Sequence, residues 1–213
     1  MKFENFRKNV VKIKNLPLSG MDAHFEMVPP FRRKLIKEAR LKAKDAKRAG
    51  VMALFYPDGE KMTRLLLIHR NEYPGVHSNQ IGFPGGKMEQ SDENLVQTAL
   101  RETHEEVGVS PDAVEVVAEL SDVYIPPSNF LVTPFLGLYA NPKKFVIDTA
   151  EVQQLVEVRF DDFLDESNLM TQQISTSYAQ NVKVPAFNLN GFVVWGATAM
   201  MLSEIKQLLR QVL

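Results

Sequence analysis

The sequence contains no cysteine, and this absence excludes several classes of protein at once. Disulfide-stabilised domains, thiolate zinc sites, iron–sulfur proteins and enzymes with a cysteine nucleophile all require thiols. Before the glycine-rich segment that begins at Gly82, no apolar run approaches the length of about 18 residues that a membrane-spanning helix needs. The N-terminus, MKFENFRKNVVKIK, lacks the unbroken apolar core of a signal peptide. These absences predict a soluble, cytoplasmic protein.

Charge is unevenly distributed along the 213 residues, although the net charge is only −1. Residues 1–50 hold 14 lysines and arginines against 5 acidic residues, whereas residues 51–213 hold 11 against 21. We therefore predict a basic helical N-terminal extension over 1–50 and a main domain over 51–213. An acidic body with a basic segment suits an anionic substrate that binds with metal ions, while the alternative is a solvated basic helix. Nucleic-acid binding is not expected, because the basic stretch lacks interleaved aromatic residues.

Apolar periodicity and turn residues predict helices at both ends and in the middle of the chain, with short strands between them. The predicted helices are 3–13, 31–48, 91–107 and 197–212. The predicted strands are 51–55, 64–69, 113–124, 131–139, 155–158, 182–187 and 192–195. Because strands both precede and follow the central helix, the predicted class is α+β or α/β with a mixed β-sheet.

The residues best suited to chemistry surround the central helix, which follows a Gly82-Phe83-Pro84-Gly85-Gly86 segment. Glu102, Glu105 and Glu106 are spaced i, i+3 and i+4, so a helix brings them to one side. Like charges at this spacing cost about 0.2–0.5 kcal/mol per pair, and carboxylates at a helix C-terminus also oppose the helix dipole. A divalent cation would relieve both penalties, and clustered carboxylates suit hard ions such as Mg²⁺ or Mn²⁺. The alternative is a solvated acidic helix end without a ligand.

Two further features favour a binding site. Paired glycines at 85 and 86 allow the backbone to approach a ligand closely. Arg101 can hold a carboxylate or a phosphate with two hydrogen bonds, or it can form a structural ion pair that orients a glutamate. Ser91 or Asp92 is expected to cap the start of the helix, and Gly108 is expected just beyond its end.

The segment from Gly86 to Val109 resembles the Nudix box, whose pattern is Gly, five residues, Glu, seven residues, then Arg-Glu-apolar-any-Glu-Glu-any-Gly-apolar. Residues 101–109 match the second half of this pattern, with Thr103 at an apolar position. In the first half, six residues separate Gly86 from Glu93, one more than in the general pattern, and Asp92 takes the usual offset.

The surrounding residues resemble the coenzyme A pyrophosphatase branch of this family over about residues 51–210. The matching segments are Leu66-Leu67-Ile68-His69-Arg70, His77-Ser78-Asn79-Gln80, Phe83-Pro84-Gly85-Gly86-Lys87, Thr98-Ala99-Leu100-Arg101-Glu102, 130–135, Glu151-Val152 and 195–199. Pro74-Gly75 stands where Leu-Arg is common. Asn79 replaces a glycine, although asparagine also adopts positive φ.

The resemblance implies an α/β/α sandwich that hydrolyses a diphosphate linked to another moiety, with Mg²⁺ or Mn²⁺ as cofactor. It implies that the metal ligands are Glu102, Glu105 and Glu106. The implied catalytic residues are Glu105, Glu106, Glu151 and Arg101. The implied substrate-binding residues are Arg70, Gly85, Gly86 and Lys87. The general base stays open between Glu105 and Glu151, with His77 and His104 as weaker candidates.

For coenzyme A, the implied products are 3′,5′-ADP and 4′-phosphopantetheine. The adenosine 3′-phosphate would need a basic contact from Lys87, Arg70 or the basic N-terminal segment. Aromatic residues that could contact adenine, each of which also suits the core, are Phe83, Tyr124 and Phe130. Two alternatives stay open: a hydrolase of ADP-ribose or dinucleotides, and a Nudix domain that senses a nucleotide without cleaving it. The expected partner is a small-molecule diphosphate, without nucleic acid or membrane, and a homodimer stays open.

Overall fold

The structure is a computed structural model that describes residues 1–41, 43–72, 78–176 and 179–213. Within these residues the α-helices are α1 (Phe3–Val10), α2 (Met21–Glu26), α3 (Pro30–Leu41), α4 (Leu95–Val107), α5 (Phe160–Leu164) and α6 (Gly196–Val212). The strands are β1 (Lys47–Pro57), β2 (Thr63–Arg70), β3 (Ile81–Gly82), β4 (Gly85–Lys87), β5 (Glu115–Glu119), β6 (Val123–Ile125), β7 (Phe130–Leu138), β8 (Val152–Arg159), β9 (Leu169–Thr176), β10 (Ala179–Leu189) and β11 (Phe192–Trp195). His77 and Pro74-Gly75, which the sequence comparison singled out, lie outside the described residues.

The main β-sheet is mixed, as predicted. Its strand order is β3-β2-β1-β7-β5, and β4, β6 and β8 add to β1, β7 and β2 respectively. β1 and β7 run parallel, whereas β1 pairs with β2 and β4 in the antiparallel sense. The first half of β1 pairs with β4 and its second half with β2, so the glycines of β4 are held directly beside β1. A second sheet has the order β11-β10-β9.

The main sheet is buried on both faces. Along β1, Ala53 and Phe55 pack into one core cluster with residues of α1 and α6. The alternating residues Met52 and Leu54 pack into a second cluster with residues of α4. Because successive strand residues point to opposite faces, the sheet lies between two helical layers. The predicted α/β/α sandwich with an N-terminal helical segment is confirmed.

The N-terminal helix α1 packs into the same core as the sheet. The ring of Phe6 lies 4.8 Å from that of Phe55 and 5.0 Å from that of Phe160, measured between centroids. The predicted helix 31–48 is too long, because α3 ends at Leu41 and β1 begins at Lys47. Parallel pairing of Lys47 with Phe130 draws this stretch into the sheet. The division of the chain at residue 50 stays a prediction.

Other predicted elements differ in their bounds or number. α4 begins at Leu95 and is capped by Asn94, whose side chain accepts a hydrogen bond from the Gln97 amide, so Ser91 and Asp92 are not its caps. Gly108 follows the helix with a φ of 75°, as predicted. The single strand predicted over 113–124 is two strands, β5 and β6. No helix in the described ranges has the length and apolar character needed to cross a membrane.

Candidate active site

The loop between β3 and β4 is held against the acidic end of α4. The Gly85 amide donates a 2.8 Å hydrogen bond to Oε2 of Glu106. Gly85 has a φ of 140°, and a Cβ there would lie 2.5 Å from the Val51 Cα, so only glycine fits between the loop and β1. At Gly86 a Cβ would lie 2.7 Å from Oε1 of Glu102 and closer still to the rest of that carboxylate. Gly85 therefore lets the loop lie close to β1, and Gly86 makes room for the Glu102 carboxylate.

Glu106 is a buried carboxylate with only 1% of its surface exposed. Burial raises the pKa of Glu106 to about 7, although Arg70 and the Gly85 amide favour its charged form. Its Oε1 lies 3.1 Å from Nη1 of Arg70, yet among the described residues this oxygen has no partner with hydrogen-bond geometry. A buried oxygen with spare acceptor capacity is one feature expected of a cation ligand.

Arg70 connects the glutamate to the loop. Its Nη2 donates a 2.7 Å hydrogen bond to the Gly85 carbonyl, while Nη1 faces Glu106. Arg70 was predicted to bind substrate, and the structure does place it in the wall of the cavity described below. Its cationic groups are nevertheless engaged within the protein.

Arg101 contacts three carboxylates at once. Its Nε and Nη2 each donate a 3.0 Å hydrogen bond to Asp92, one to each carboxylate oxygen. Its Nη1 lies 2.9 Å from Glu105 and 3.0 Å from Glu102. The guanidinium holds the pKa of Asp92 well below its usual range. This geometry favours the interpretation of Arg101 as a residue that orients glutamates.

Asp92 is the important residue that sequence reasoning missed. The sequence predicts Asp92 as a helix cap, yet its side chain is buried and also accepts a hydrogen bond from the Thr98 hydroxyl. Asp92 stands where the general Nudix box pattern has its first glutamate, and this position was the sequence feature that could have indicated a role in the site. Glu93, the residue that the longer spacing supplies, instead accepts a hydrogen bond from Gln97 on the exposed surface.

The remaining predicted carboxylates differ in exposure. Burial raises the pKa of Glu102, Arg101 opposes this shift, and the charges of Glu105 and Glu151 add to it. Glu151 lies close enough to raise the pKa of Glu106 as well. Glu105 is more exposed, with 55% of its side-chain surface accessible. His104 is exposed, as predicted for a solvated side chain.

A cavity of about 410 Å³ opens beside Glu102 and Glu151, whereas Glu105 and Glu106 are not among its lining residues. Its polar lining includes Arg70, Gly85, Gly86, Lys87, Glu102 and Glu151. Much of the remaining wall is apolar and comes from Phe83, Ile125, Phe130, Val132, Trp195 and Met201. One cavity thus combines a charged end, suited to phosphates and a cation, with apolar surface suited to an organic group.

The donor set suits a hard divalent cation, but the side chains are not arranged around one point. Within the described ranges, no group of three histidine or carboxylate side chains is positioned to hold a metal ion. Arg101 and Arg70 contact the glutamates that would serve as ligands. The carboxylate oxygens and the free acceptor on Glu106 fit Mg²⁺ or Mn²⁺ in their chemistry. The ligand assignment stays a prediction.

Comparison with known proteins identifies the family. The model of the NUDIX domain matches residues 46–175, which is more than half of the chain. This chain belongs to the Nudix family. Members of this family generally need divalent cations, and the match confirms the expected hydrolase that acts on diphosphate bonds.

Individual relatives agree with this assignment. The peroxisomal coenzyme A diphosphatase ndx-8 of Caenorhabditis elegans is 28% identical over 168 residues, covering 78% of this chain and 70% of that protein. The Nudix hydrolase NudL of Pectobacterium atrosepticum is 32% identical over 148 residues, covering 66% and 72%. The crystal structure of the M. smegmatis Nudix hydrolase RenU matches with a TM-score of 0.54 at 17% identity, covering 79% of this chain and 88% of that one. At this identity, RenU supports the fold alone.

Proposed function

We propose that this Nudix hydrolase cleaves the diphosphate bond of coenzyme A or its derivatives, giving 3′,5′-ADP and 4′-phosphopantetheine. The observation that carries the proposal is that Glu102 and Glu151 face one cavity together with Gly85, Gly86 and Lys87. The likeness to ndx-8, named a coenzyme A diphosphatase, supports this choice of substrate, as do the sequence segments shared with that branch.

Mg²⁺ or Mn²⁺ is proposed to bind between Glu102, Glu105 and Glu106, whose oxygens are the hard ligands that these ions prefer. When bound, such an ion supplies positive charge that offsets the diphosphate charge, and it acidifies the attacking water. Arg101 then positions Glu102 and Glu105, since Asp92 fixes its guanidinium plane with two hydrogen bonds. Lys87 is proposed to contact a phosphate at the cavity rim, where it is exposed.

Glu151 is the better-placed general base. It lines the cavity and its charge reaches both Glu102 and Glu106. Glu105 is instead bonded to Arg101 by a 2.9 Å contact on the outer side of the helix. In the proposed reaction, Glu151 accepts a proton from water, the water oxygen bonds to one phosphorus, and the bond from that phosphorus to the bridging oxygen breaks. The other phosphate leaves with the bridging oxygen.

To test the proposal, the purified protein is incubated with Mg²⁺ or Mn²⁺ and with coenzyme A, ADP-ribose or diadenosine compounds. The hydrolysis products are identified by mass. We expect 3′,5′-ADP and 4′-phosphopantetheine from coenzyme A. Preferred cleavage of ADP-ribose or dinucleotides would assign those substrates instead. Absence of turnover with every diphosphate and both metals would favour the nucleotide-sensing alternative.

The role of the buried glutamate is tested by Glu106→Gln, which keeps the shape and removes the charge. We expect turnover to fall at least about 100-fold, because a ligand that positions the charge of the cation is lost. Glu93→Gln is the matched control, since Glu93 lies near the same helix and outside the cavity. Unchanged turnover in Glu106→Gln, with the fold intact by thermal melting, would show that Glu106 is not required. A cytoplasmic location and a homodimer stay predictions.

A further inference from the structure

The two sides of the cavity differ in how their cations are engaged. Arg70 is held by Glu106 and by the Gly85 carbonyl. Lys87 lines the cavity, whereas Lys47 is not among its lining residues and begins β1, the strand whose Ala49 and Val51 line it. Within the part of the chain that the structure describes, neither lysine has a carboxylate within ion-pair distance. Both ammonium groups are therefore available to an anionic ligand.

The sheet register places Lys47 on the cavity side of β1. Side chains alternate along a strand, so Lys47 points to the same face as Ala49 and Val51, which both line the cavity. Lys47 pairs across the sheet with Phe130, and its Nζ lies 5.7 Å from the centre of that ring. Ala49 pairs with Lys87 on its other side. Both lysines therefore lie on the cavity face of the sheet, close to Ala49 and Phe130.

This end is separated from the glutamates by a span that suits a nucleoside. Gly86, which contacts Glu102, pairs with Gly50 on β1. Lys47 lies three residue steps before Gly50 along the strand, which is a distance of about 10 Å. The Phe130 ring, which pairs across the sheet with Lys47, lies on the cavity wall at that end and offers an apolar surface for a flat base. A diphosphate at the glutamates therefore leaves room for a ribose and base before Lys47.

We propose that Lys47, together with Lys87, binds a phosphate that the substrate carries on its ribose in addition to the diphosphate. The site then selects nucleoside diphosphates that bear a third phosphate, and the nucleoside end of the substrate occupies the Phe130 end of the cavity. This inference rests on the proposed function, because it assumes that the diphosphate lies at the glutamates. The inference assigns the basic contact that the adenosine 3′-phosphate needs to Lys47, near the end of the basic N-terminal segment 1–50, together with Lys87.

The test compares coenzyme A with dephospho-coenzyme A, which differs only by the ribose 3′-phosphate. We expect the wild-type protein to show a higher kcat/KM for coenzyme A. Lys47→Met keeps an unbranched side chain and removes the ammonium group that lies over Phe130. We therefore expect it to reduce that preference about tenfold, the effect of one charge-assisted hydrogen bond. Lys47→Arg should retain most of the preference. Lys183→Met, an exposed lysine on β10 in the other sheet, is the control and should leave the preference unchanged.

A binding measurement separates this inference from the proposed function. We expect the wild-type protein to bind 3′,5′-ADP more tightly than 5′-AMP, and Lys47→Met to reduce that difference, in calorimetry that requires no turnover. A protein that cleaves diphosphates but shows no preference for the 3′-phosphate in either assay would overturn the inference and leave the hydrolase intact. A Lys47→Met protein with unchanged preference would overturn it as well. Failure of all turnover, with the binding preference present and sensitive to Lys47, would overturn the proposed function alone.

Discussion

Replacement of Gly86 by alanine is expected to disable the site without unfolding the protein. A Cβ at this position would lie 2.7 Å from Oε1 of Glu102, where ordinary contacts begin at 3.4 Å, so the carboxylate must move by at least 0.7 Å. Such a shift also changes the position of the Glu102 carboxylate relative to Arg101, which lies 3.0 Å from it. Misplacement of a reacting group by about 1 Å can cost about 100-fold in rate, so we expect a kcat/KM loss of that order.

Stability should respond differently from activity. The φ of Gly86 lies outside the left-handed region, so alanine adds no backbone strain there. The clash involves the end of a flexible side chain, and alanine also lowers the entropy of the unfolded chain, so we expect the free energy of unfolding to change by less than about 1 kcal/mol. Gly59→Ala is the matched control, because its Cβ meets nothing within 4 Å.

The assay combines steady-state kinetics over a range of Mg²⁺ concentrations with urea denaturation of both variants. If Gly86→Ala had the same kcat/KM as the wild-type protein at every Mg²⁺ concentration, the assignment of Glu102 to the site would be refuted. A loss of stability that matches the loss of activity would refute the argument that the effect is local.

Two further predictions concern the charged groups. Asp92→Asn should destabilise the protein by about 2 kcal/mol at pH 7, because it leaves Arg101 without its buried charged partner. The pKa of Asp92 is lowered in the folded protein, so the difference in stability between wild type and variant should shrink as the pH falls below the ordinary value of 3.8. Equal differences in urea denaturation at pH 7 and pH 3 would contradict this prediction. Metal affinity should rise with pH by up to about tenfold per unit below pH 7 and then level off. The reason is that burial raises the pKa of Glu106 to about 7, and the proton on Glu106 must leave when a cation binds. Constant affinity in calorimetric Mn²⁺ titrations between pH 5.5 and 8.5 would argue against Glu106 as a ligand.

Local sequence signals predicted the central part of the site well. The i, i+3, i+4 spacing of the glutamates and the glycine after α4 are set within a single helix, so periodicity and capping rules reach them. The positive φ expected at Asn79 is also found, at 56°. These features depend on residues close together in sequence.

Features that depend on distant residues could not be predicted in the same way. The contact between Arg70 and Glu106 and the contact between Gly85 and Glu106 are created by the sheet, which brings β2 and β4 to the end of α4. The strand β9 was missed because its sequence, LMTQQIST, is mostly polar and gives no apolar run. The sequence predicts a helix at Lys47, because the local residues favour helix. In the structure, parallel pairing with β7 places Lys47 in the sheet instead.

The two arginines change how the acidic cluster should be understood. Spacing alone makes the three glutamates unfavourable without a cation, yet Arg101 lies beside Glu102 and Glu105, and Arg70 lies beside Glu106. These guanidinium groups supply part of the compensating charge in the fold itself, so the cluster does not require metal in order to form. Metal binding then competes with ion pairs within the protein and is not coupled to folding in the way that holds for zinc fingers. Chelation should therefore abolish turnover while the cooperative unfolding transition remains, and loss of the fold on chelation would contradict this argument.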